Sequence, residues 1–259
     1  MKIVRLEDGR WADARGDTFH VLSAAPWDEG TPTGETLSSA SLAAPVSPSK
    51  VVCVGRNYAA HAKELGNEVP SEPLLFLKPP SAIIGPGEPV LLPPQSQRVE
   101  HEAELAAVIG TRIFCGDRDA AKKAVFGFTI ANDVTARDIQ RGDVQFTRGK
   151  GFDTFCPIGP AVVTDVDPSD LAIQLWVSGK LRQDGRTSAM VWDAFDLIAY
   201  ISTVMTLLPG DLVLTGTPKG VGPLAPNDEV RISIEDLGTL THGVLARSDV
   251  HKSGNRPRN

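Results

Sequence analysis

The sequence predicts a chain of the α+β class in which strands predominate, and three observations carry that prediction. Glycine (24) and proline (20) are plentiful and fall in short punctuating groups, which cut the 259 residues into many segments joined by tight turns. The segments between these groups are short apolar or alternating runs, of strand rather than helix length. Only residues 191–208 carry a long apolar periodicity at three- and four-residue spacing.

Taken in order, the chain opens with a predicted hairpin of strands 2–6 and 18–22, for which Asp8-Gly9 and Arg15-Gly16-Asp17 are the turn signals. Residues 26–50 are rich in Pro, Ser, Thr, Gly and Ala and lack periodicity, so they read as a linker or irregular cover. Residues 1–47 are therefore expected to form a small N-terminal module ahead of a body spanning 48–259. A buried strand at 51–54 leads through Gly55-Arg56-Asn57 into a helix over 58–65, with Asn57 as N-cap and Gly66 as its stop. After a strand at 74–78, Pro79, Pro80, Pro86, Pro89, Pro93 and Pro94 divide the chain into extended pieces that exclude helix. Strands at 102–109 and 127–134 flank a helix-like stretch at 120–125, and strands at 173–177 and 180–183 flank the hairpin signature Ser178-Gly179.

In the stretch 191–208, Trp192, Phe195, Ile198, Ile201, Met205 and Leu208 form one stripe, read as the core face of a helix that Pro209-Gly210-Asp211 ends. A strand at 212–215 feeds the glycine-rich loop 216–222; strands at 229–234 and 238–245 come next, and then a polar tail expected to fray.

Composition excludes several functions. A formal charge of -6, with no basic cluster denser than residues 118–123, lacks the electrostatic footprint that binding a phosphate backbone requires. Residues 1–8 turn acidic before an apolar run of signal-peptide length, and no later stretch reaches the length of a membrane span. A soluble, cytoplasmic chain without nucleic-acid or membrane partners is expected. Cys53, Cys115 and Cys156 are odd in number, contain no C-x-x-C pair, and read as packing residues in a reducing compartment.

Three carboxylates give the sharpest chemical signal. Glu102 and Glu104 lie two residues apart at the head of an apolar run, which puts both on one face of a strand. Asp133 ends another apolar strand, where an unpartnered charge would be costly. Oxygen donors without imidazole or thiolate favour a hard ion such as Mg²⁺ or Mn²⁺. The alternative is that the two glutamates line a solvated edge strand and Asp133 caps a turn.

His61 and Glu64 share a helix face at i and i+3 and suit a dyad in which the carboxylate orients an imidazole that takes a proton from water; the alternative is a solvated helix face. Lys150, between Gly149 and Gly151, reads as a loop cation placed over an anionic substrate, or else as an ordinary surface lysine. The loop 216–222 could present backbone N–H groups to a carboxylate, and its spacing matches no nucleotide-binding pattern.

These residues together resemble the fumarylacetoacetate hydrolase family, in its short acylpyruvate hydrolase and hydroxyheptadienedioate isomerase branch. The resemblance runs through Gly55-Arg56-Asn57-Tyr58, His101-Glu102-Ala103-Glu104-Leu105, Asn132-Asp133-Val134-Thr135-Ala136-Arg137-Asp138-Ile139-Gln140, Cys156-Pro157-Ile158-Gly159-Pro160 and Thr215-Gly216-Thr217-Pro218-Lys219-Gly220. It covers residues 50–244, while the first 45 resemble the small variable N-terminal region of bacterial members. The resemblance implies a mixed β-roll with peripheral helices, commonly a homodimer. It also implies a Mg²⁺ or Mn²⁺ centre held by Glu102, Glu104 and Asp133, with Ca²⁺ as a stand-in in crystals. By the same resemblance His61 and Glu64 form a water-activating dyad, Lys150, Arg56 and Gln140 are pocket residues, and Thr217 belongs to the loop that takes a substrate carboxylate. Phe146, where close relatives often carry tryptophan, and Arg148-Gly149 depart from the family pattern.

The resemblance implies an enzyme acting on small 2-oxo acids, or 2-hydroxydienoic acids, through a pyruvate-type enolate. Carbon–carbon bond hydrolysis of acylpyruvates, decarboxylation of oxaloacetate, or both, is the leading expectation, and isomerisation of 5-carboxymethyl-2-hydroxymuconate is the alternative; all three pass through such a charge distribution. A metal-dependent phosphoesterase, or a binding protein that keeps the scaffold without turnover, are the alternatives from other classes.

Overall fold

The structure, a computed structural model, describes residues 1–249. Its strands in chain order are β1 (Lys2–Leu6), β2 (Trp11–Arg15), β3 (Thr18–Leu22), β4 (Pro32–Leu37), β5 (Leu42–Ala43), β6 (Val51–Gly55), β7 (Leu74–Lys78), β8 (Ile83–Ile84), β9 (Val90–Leu92) and β10 (Val99–His101). They continue with β11 (Ala103–Ile109), β12 (Val125–Asn132), β13 (Thr135–Ala136), β14 (Cys156–Val163), β15 (Ala172–Val177), β16 (Lys180–Arg186), β17 (Leu212–Leu214), β18 (Gly222–Pro223), β19 (Glu229–Ile234) and β20 (Gly238–Ala246). Interspersed with them are the helices α1 (Ala59–Glu64), α2 (Arg118–Ala124), α3 (Arg137–Gly142), α4 (Thr147–Lys150) and α5 (Ala194–Val204). The α+β, mainly β class is thus observed.

A twelve-stranded mixed sheet runs β4-β3-β2-β1-β14-β12-β11-β17-β6-β7, with β5 beside β1 and β8 beside β14. A five-stranded sheet, β16-β15-β19-β20-β9, packs against its centre, and a three-stranded sheet, β13-β10-β18, closes one end. The central strand β11 is buried along its whole length, which explains its continuous apolar composition. Ala103, Leu105, Ala107 and Ile109 face a cluster shared with β15, β19, β20 and α5, while Ala106 and Val108 face a second cluster with Cys53, Cys156 and Leu214. Glu104 has the parity of Ala106 and Val108, so it stands among apolar neighbours at the end of their row.

Several elements differ from the sequence reading. The N-terminal hairpin is a meander: β2, absent from the prediction, lies between β1 and β3, and the two turn signals each serve one of its ends. Its residues, Trp-Ala-Asp-Ala-Arg, alternate small and charged side chains, a weak strand pattern whose Ala12 is nevertheless fully buried. The presumed linker contains β4 and β5, paired to β3 and β1. Pro80–Ala82 form one 3₁₀ turn within the proline-rich stretch, with proline at the first position where no N–H is needed.

Helix α5 is shorter than residues 191–208 because Asp193 caps it, accepting from the amides of Phe195 and Asp196. It stops before Leu207, whose backbone pairs with Ile113. The buried face is Ala194, Leu197, Ile198 and Ile201; Leu208 is 39% exposed. Cys53 and Cys156 are buried as expected, but Cys115 is exposed, at φ +49°, rather than part of the core. Among the described residues no helix is long and apolar enough to cross a membrane. The tail expected to fray lies largely outside the described residues.

Candidate metal centre and its cavity

Glu102 and Glu104 enter the site from the junction of β10 and β11, and Asp133 from the end of β12, antiparallel to β11, where Ala103 pairs with Asn132. The Asp133 amide donates to the Glu102 carbonyl (2.9 Å), and the Glu102 amide to Asn132 Oδ1 (2.9 Å), so the two strand ends are locked together. One carboxylate oxygen from each of Glu102, Glu104 and Asp133 lies within 4.8 Å of the others, and all three residues are at most 4% exposed. The solvated-edge alternative is therefore excluded by burial.

Three cations hold two of these acids. Lys150 Nζ donates to Glu102 Oε2 (2.8 Å) and to Asp133 Oδ2 (2.6 Å). Lys78 Nζ donates to Asp133 Oδ1 (2.7 Å) and to the Val134 carbonyl (3.0 Å). Arg137 bridges Glu102 and Glu100 and also reaches Gln140 Oε1 (2.6 Å). Burial by itself would raise the Glu102 carboxyl, but Lys150, Arg137 and His61 outweigh it and hold the pKa well below the usual range. Burial opposes the Lys150 ammonium too, yet Asp133 and Glu102 push its pKa above that of ordinary lysine.

Glu104 is different. Among the described residues it has no ion-pair partner; it accepts only the Gly216 amide (2.7 Å). Burial, reinforced by the like charges of Asp133 and Glu102, drives its carboxyl well above the normal carboxylate range. The phenol of Tyr58, itself buried without a hydrogen-bond partner, is raised by burial and by Glu104. A buried carboxylate short of one positive charge, beside two more carboxylates and no thiolate or imidazole donor, fits a hard divalent cation. The three acids would hold such an ion.

The acids form the wall of a cavity of about 300 Å³ that His61, Lys150, Arg56, Gln140 and Thr217 also line. His61 Nδ1 lies 3.3 Å from Glu64 Oε2, in α1, and both Glu64 oxygens accept the Gly220 amide (3.0 and 3.1 Å). The dyad's carboxylate is thereby tied to the glycine-rich loop. That loop does present amides to carboxylates, as expected, but they are the protein's own Glu104 and Glu64. Gly216 sits at φ +97°, and a Cβ there would meet the Asn57 side chain at 2.9 Å; only glycine lets the amide reach Glu104.

Asn57 does not cap α1, whose first turn begins after Tyr58 without a side-chain cap. It instead donates to the carbonyls of Trp192 (2.9 Å) and Thr215 (2.7 Å) and accepts the Trp192 amide (2.9 Å). Lys150 is the last residue of α4 rather than part of a loop, and it lines the cavity from a buried position. Gly149 makes this possible, since a Cβ there would lie 2.9–3.0 Å from Gln140 and hold α4 away from α3. The Thr217 hydroxyl is committed, donating to the Ala103 carbonyl (2.8 Å) and accepting from Gln183 Nε2 (2.8 Å). It thereby pins the loop to β11.

The sequence reading missed Lys78, Glu100, Arg137 and Gln183. For Lys78 a signal existed: a lysine closing the apolar run Leu-Leu-Phe-Leu is as costly unpaired as Asp133 is. Gln183 carried none, because its role depends on β16 meeting the loop after β17.

Residues 50–245 match the protein family described as Fumarylacetoacetate (FAA) hydrolase C-terminal, and residues 1–45 match one described as Rv2993c-like, N-terminal. Protein Rv2993c of Mycobacterium tuberculosis is 47% identical over 247 residues, covering 93% of this chain and 92% of its own length. Oxaloacetate tautomerase FAHD2A, mitochondrial, of Homo sapiens is 48% identical over 221 residues, covering 80% of this chain and 70% of its own. The crystal structure of 5-carboxymethyl-2-hydroxymuconate delta-isomerase from Mycobacterium smegmatis superposes with a TM-score of 0.89 at 44% identity, covering 95% of this chain and 100% of that one.

Proposed function

The chain belongs to the fumarylacetoacetate hydrolase family, and from that premise we propose that it is a divalent-metal-dependent enzyme that moves a proton at the carbon beside the keto group of small 2-oxo acids or their enol and dienol forms. The observation that carries this reading is the meeting, in one cavity, of three buried carboxylates and a histidine oriented by a carboxylate. The relatives named as an oxaloacetate tautomerase and a hydroxymuconate isomerase support the reaction class.

A Mg²⁺ or Mn²⁺ ion bound by Glu102, Glu104 and Asp133 would supply a Lewis acid for the keto oxygen of the substrate. Lys150, Lys78 and Arg137 fix Glu102 and Asp133, so that little reorganisation of these two accompanies binding. Glu64, held by the Gly220 amide, orients His61 through Nδ1 and leaves Nε2 to work as the base. His61 takes a proton from the carbon next to the keto group, and the electron pair moves toward the keto oxygen. Return of the proton to that oxygen gives the enol; return to a carbon further along a diene gives the shifted double bond. Arg137 and Lys150 place fixed positive charge beside the cavity in which negative charge develops.

Hydrolysis of an acylpyruvate is the second reading, favoured by the same dyad because an imidazole backed by a carboxylate also suits activation of water. The deciding experiment assays Mn²⁺-loaded protein on oxaloacetate, 5-carboxymethyl-2-hydroxymuconate and acetylpyruvate. Enol–keto conversion or isomerisation should dominate, and His61→Ala should slow it roughly 10²–10⁴-fold. An undiminished rate in His61→Ala rules out the dyad, and turnover of acetylpyruvate alone would put hydrolysis first.

A further inference from the structure

The peptide that links Glu102 to Ala103 lies between two of the three acids, so its tilt sets how the Glu102 and Glu104 carboxylates stand to one another. The strand is interrupted there, between the end of β10 at His101 and the start of β11 at Ala103. The backbone polar groups of Glu102 and Ala103 are nevertheless all bonded. The Glu102 carbonyl accepts the Asp133 amide (2.9 Å), and the other three groups use side chains. The Glu102 amide donates to Asn132 Oδ1 (2.9 Å), the Ala103 amide donates to Gln183 Oε1 (3.0 Å), and the Ala103 carbonyl accepts the Thr217 hydroxyl (2.8 Å).

A carboxamide can be turned either way round, and both of these are locked. Asn132 Nδ2 donates to His242 Nε2 (2.9 Å), and His242 Nδ1 lies 3.0 Å from the Gly243 carbonyl. Because a carbonyl can only accept, the imidazole proton sits on Nδ1 and leaves Nε2 with a lone pair. Turned over, Asn132 would set its oxygen against that lone pair and its NH₂ group against the Glu102 amide. Gln183 is held in the same manner: Nε2 donates to Thr217 Oγ1 and to the Pro218 carbonyl (both 2.8 Å), while Oε1 also accepts from His101 Nδ1 (3.1 Å). Asn132, Gln183 and His242 are at most 1% exposed. Burial lowers the His242 pKa to about 4, which keeps the ring neutral.

Gln183 belongs to β16 and His242 to β20, both in the five-stranded sheet, whereas β11 and β12 belong to the twelve-stranded one. Neither residue lines the cavity, so neither acts by touching what binds there. Resting on the metal-dependent reading, we infer that His242 and Gln183 are positioning residues, through which the five-stranded sheet fixes the backbone between Glu102 and Glu104 and so sets the spacing at which these acids take a divalent cation. Residues outside a metal's ligands govern its affinity in this way, by holding the ligands in the geometry that the ion needs.

Mn²⁺ added to the chelator-stripped, full-length chain is the probe, followed by calorimetry and by the electron paramagnetic resonance spectrum of the bound ion, whose line shape depends on how its ligands are arranged. Two variants differ only in reach. In His242→Gln the carboxamide oxygen can occupy the position of Nε2, whereas in His242→Asn it falls one methylene short and leaves Asn132 Nδ2 without an acceptor. His242→Gln should keep the wild-type spectrum and an affinity within about twofold of wild type, while His242→Asn should weaken Mn²⁺ binding at least about fivefold and change the spectrum. A merely structural histidine would not discriminate by reach. Gln183→Met, similar in length but unable to bond the Ala103 amide or the loop, should behave as His242→Asn does, and it tests the inference independently should His242→Asn not fold. Equal affinities and spectra in His242→Gln and His242→Asn, or a wild-type affinity and spectrum in Gln183→Met, overturn the inference. Failure of wild type to bind Mn²⁺ overturns instead the metal-dependent reading, and the inference falls with it.

Discussion

The ionised form of Glu104 is disfavoured by its surroundings. Its neighbours Glu102 and Asp133 have Lys150, Arg137 and Lys78, while Glu104 has one backbone amide and two like charges. An unfolded glutamate titrates near 4.5. With the folded value raised, the metal-free folded chain keeps a proton over a range in which the unfolded chain has lost it. Stability from this group is present below 4.5 and is lost as the pH rises through the folded pKa. Chelator-stripped wild type should therefore lose melting temperature relative to Glu104→Gln as the pH rises above 4.5. Parallel pH profiles for the two proteins would show that Glu104 is not strained in this way. At this scale the acids were legible in the sequence, because period-two spacing and a carboxylate ending an apolar strand are local signals. The cations were not, because Lys78, Arg137 and Lys150 reach the acids only after β7, α3 and α4 converge.

Among the elements, α1 and the loop after β17 act as one unit. Asn57 anchors the start of α1 to Thr215 and Trp192, and Glu64 at its end anchors the Gly220 amide. The helix carrying His61 is thus fixed at both ends by side chains rather than by its own six residues, too few for independent stability. Asn57→Ala removes three hydrogen bonds and leaves backbone groups of Trp192 and Thr215 without them. It should cost about 2–4 kcal/mol in denaturant unfolding, more than the loss of a helix cap. A cost below about 1 kcal/mol would mean that the contacts are dispensable. The position of α1 was readable from Tyr58 to the stop at Gly66, whereas the true partners of Asn57 lie more than a hundred residues away in sequence. The same distinction explains α5, whose apolar stripe predicted a helix but whose limits are set by the Asp193 cap and by pairing of Leu207 with Ile113.

For the whole molecule, strand positions could be read from turn residues and apolar runs, but strand order could not. β1 pairs with β14, joining Lys2 to Val163, and β17 inserts between β11 and β6. No local pattern encodes such neighbours, since many apolar strands could exchange places without altering their own alternation. That order nevertheless builds the site: β11 and β12 present the acids, β6 leads to the dyad, and β17 delivers the loop that holds Glu104 and Glu64. The central claim is that these strands converge to let three carboxylates grip one hard cation. Calorimetric titration of chelator-stripped protein with Mn²⁺ tests it most directly. One ion per chain should bind to wild type, and Glu104→Gln should weaken that binding at least about tenfold while the protein stays folded. Mn²⁺ binding unchanged in Glu104→Gln, or no binding by wild type, would contradict the account.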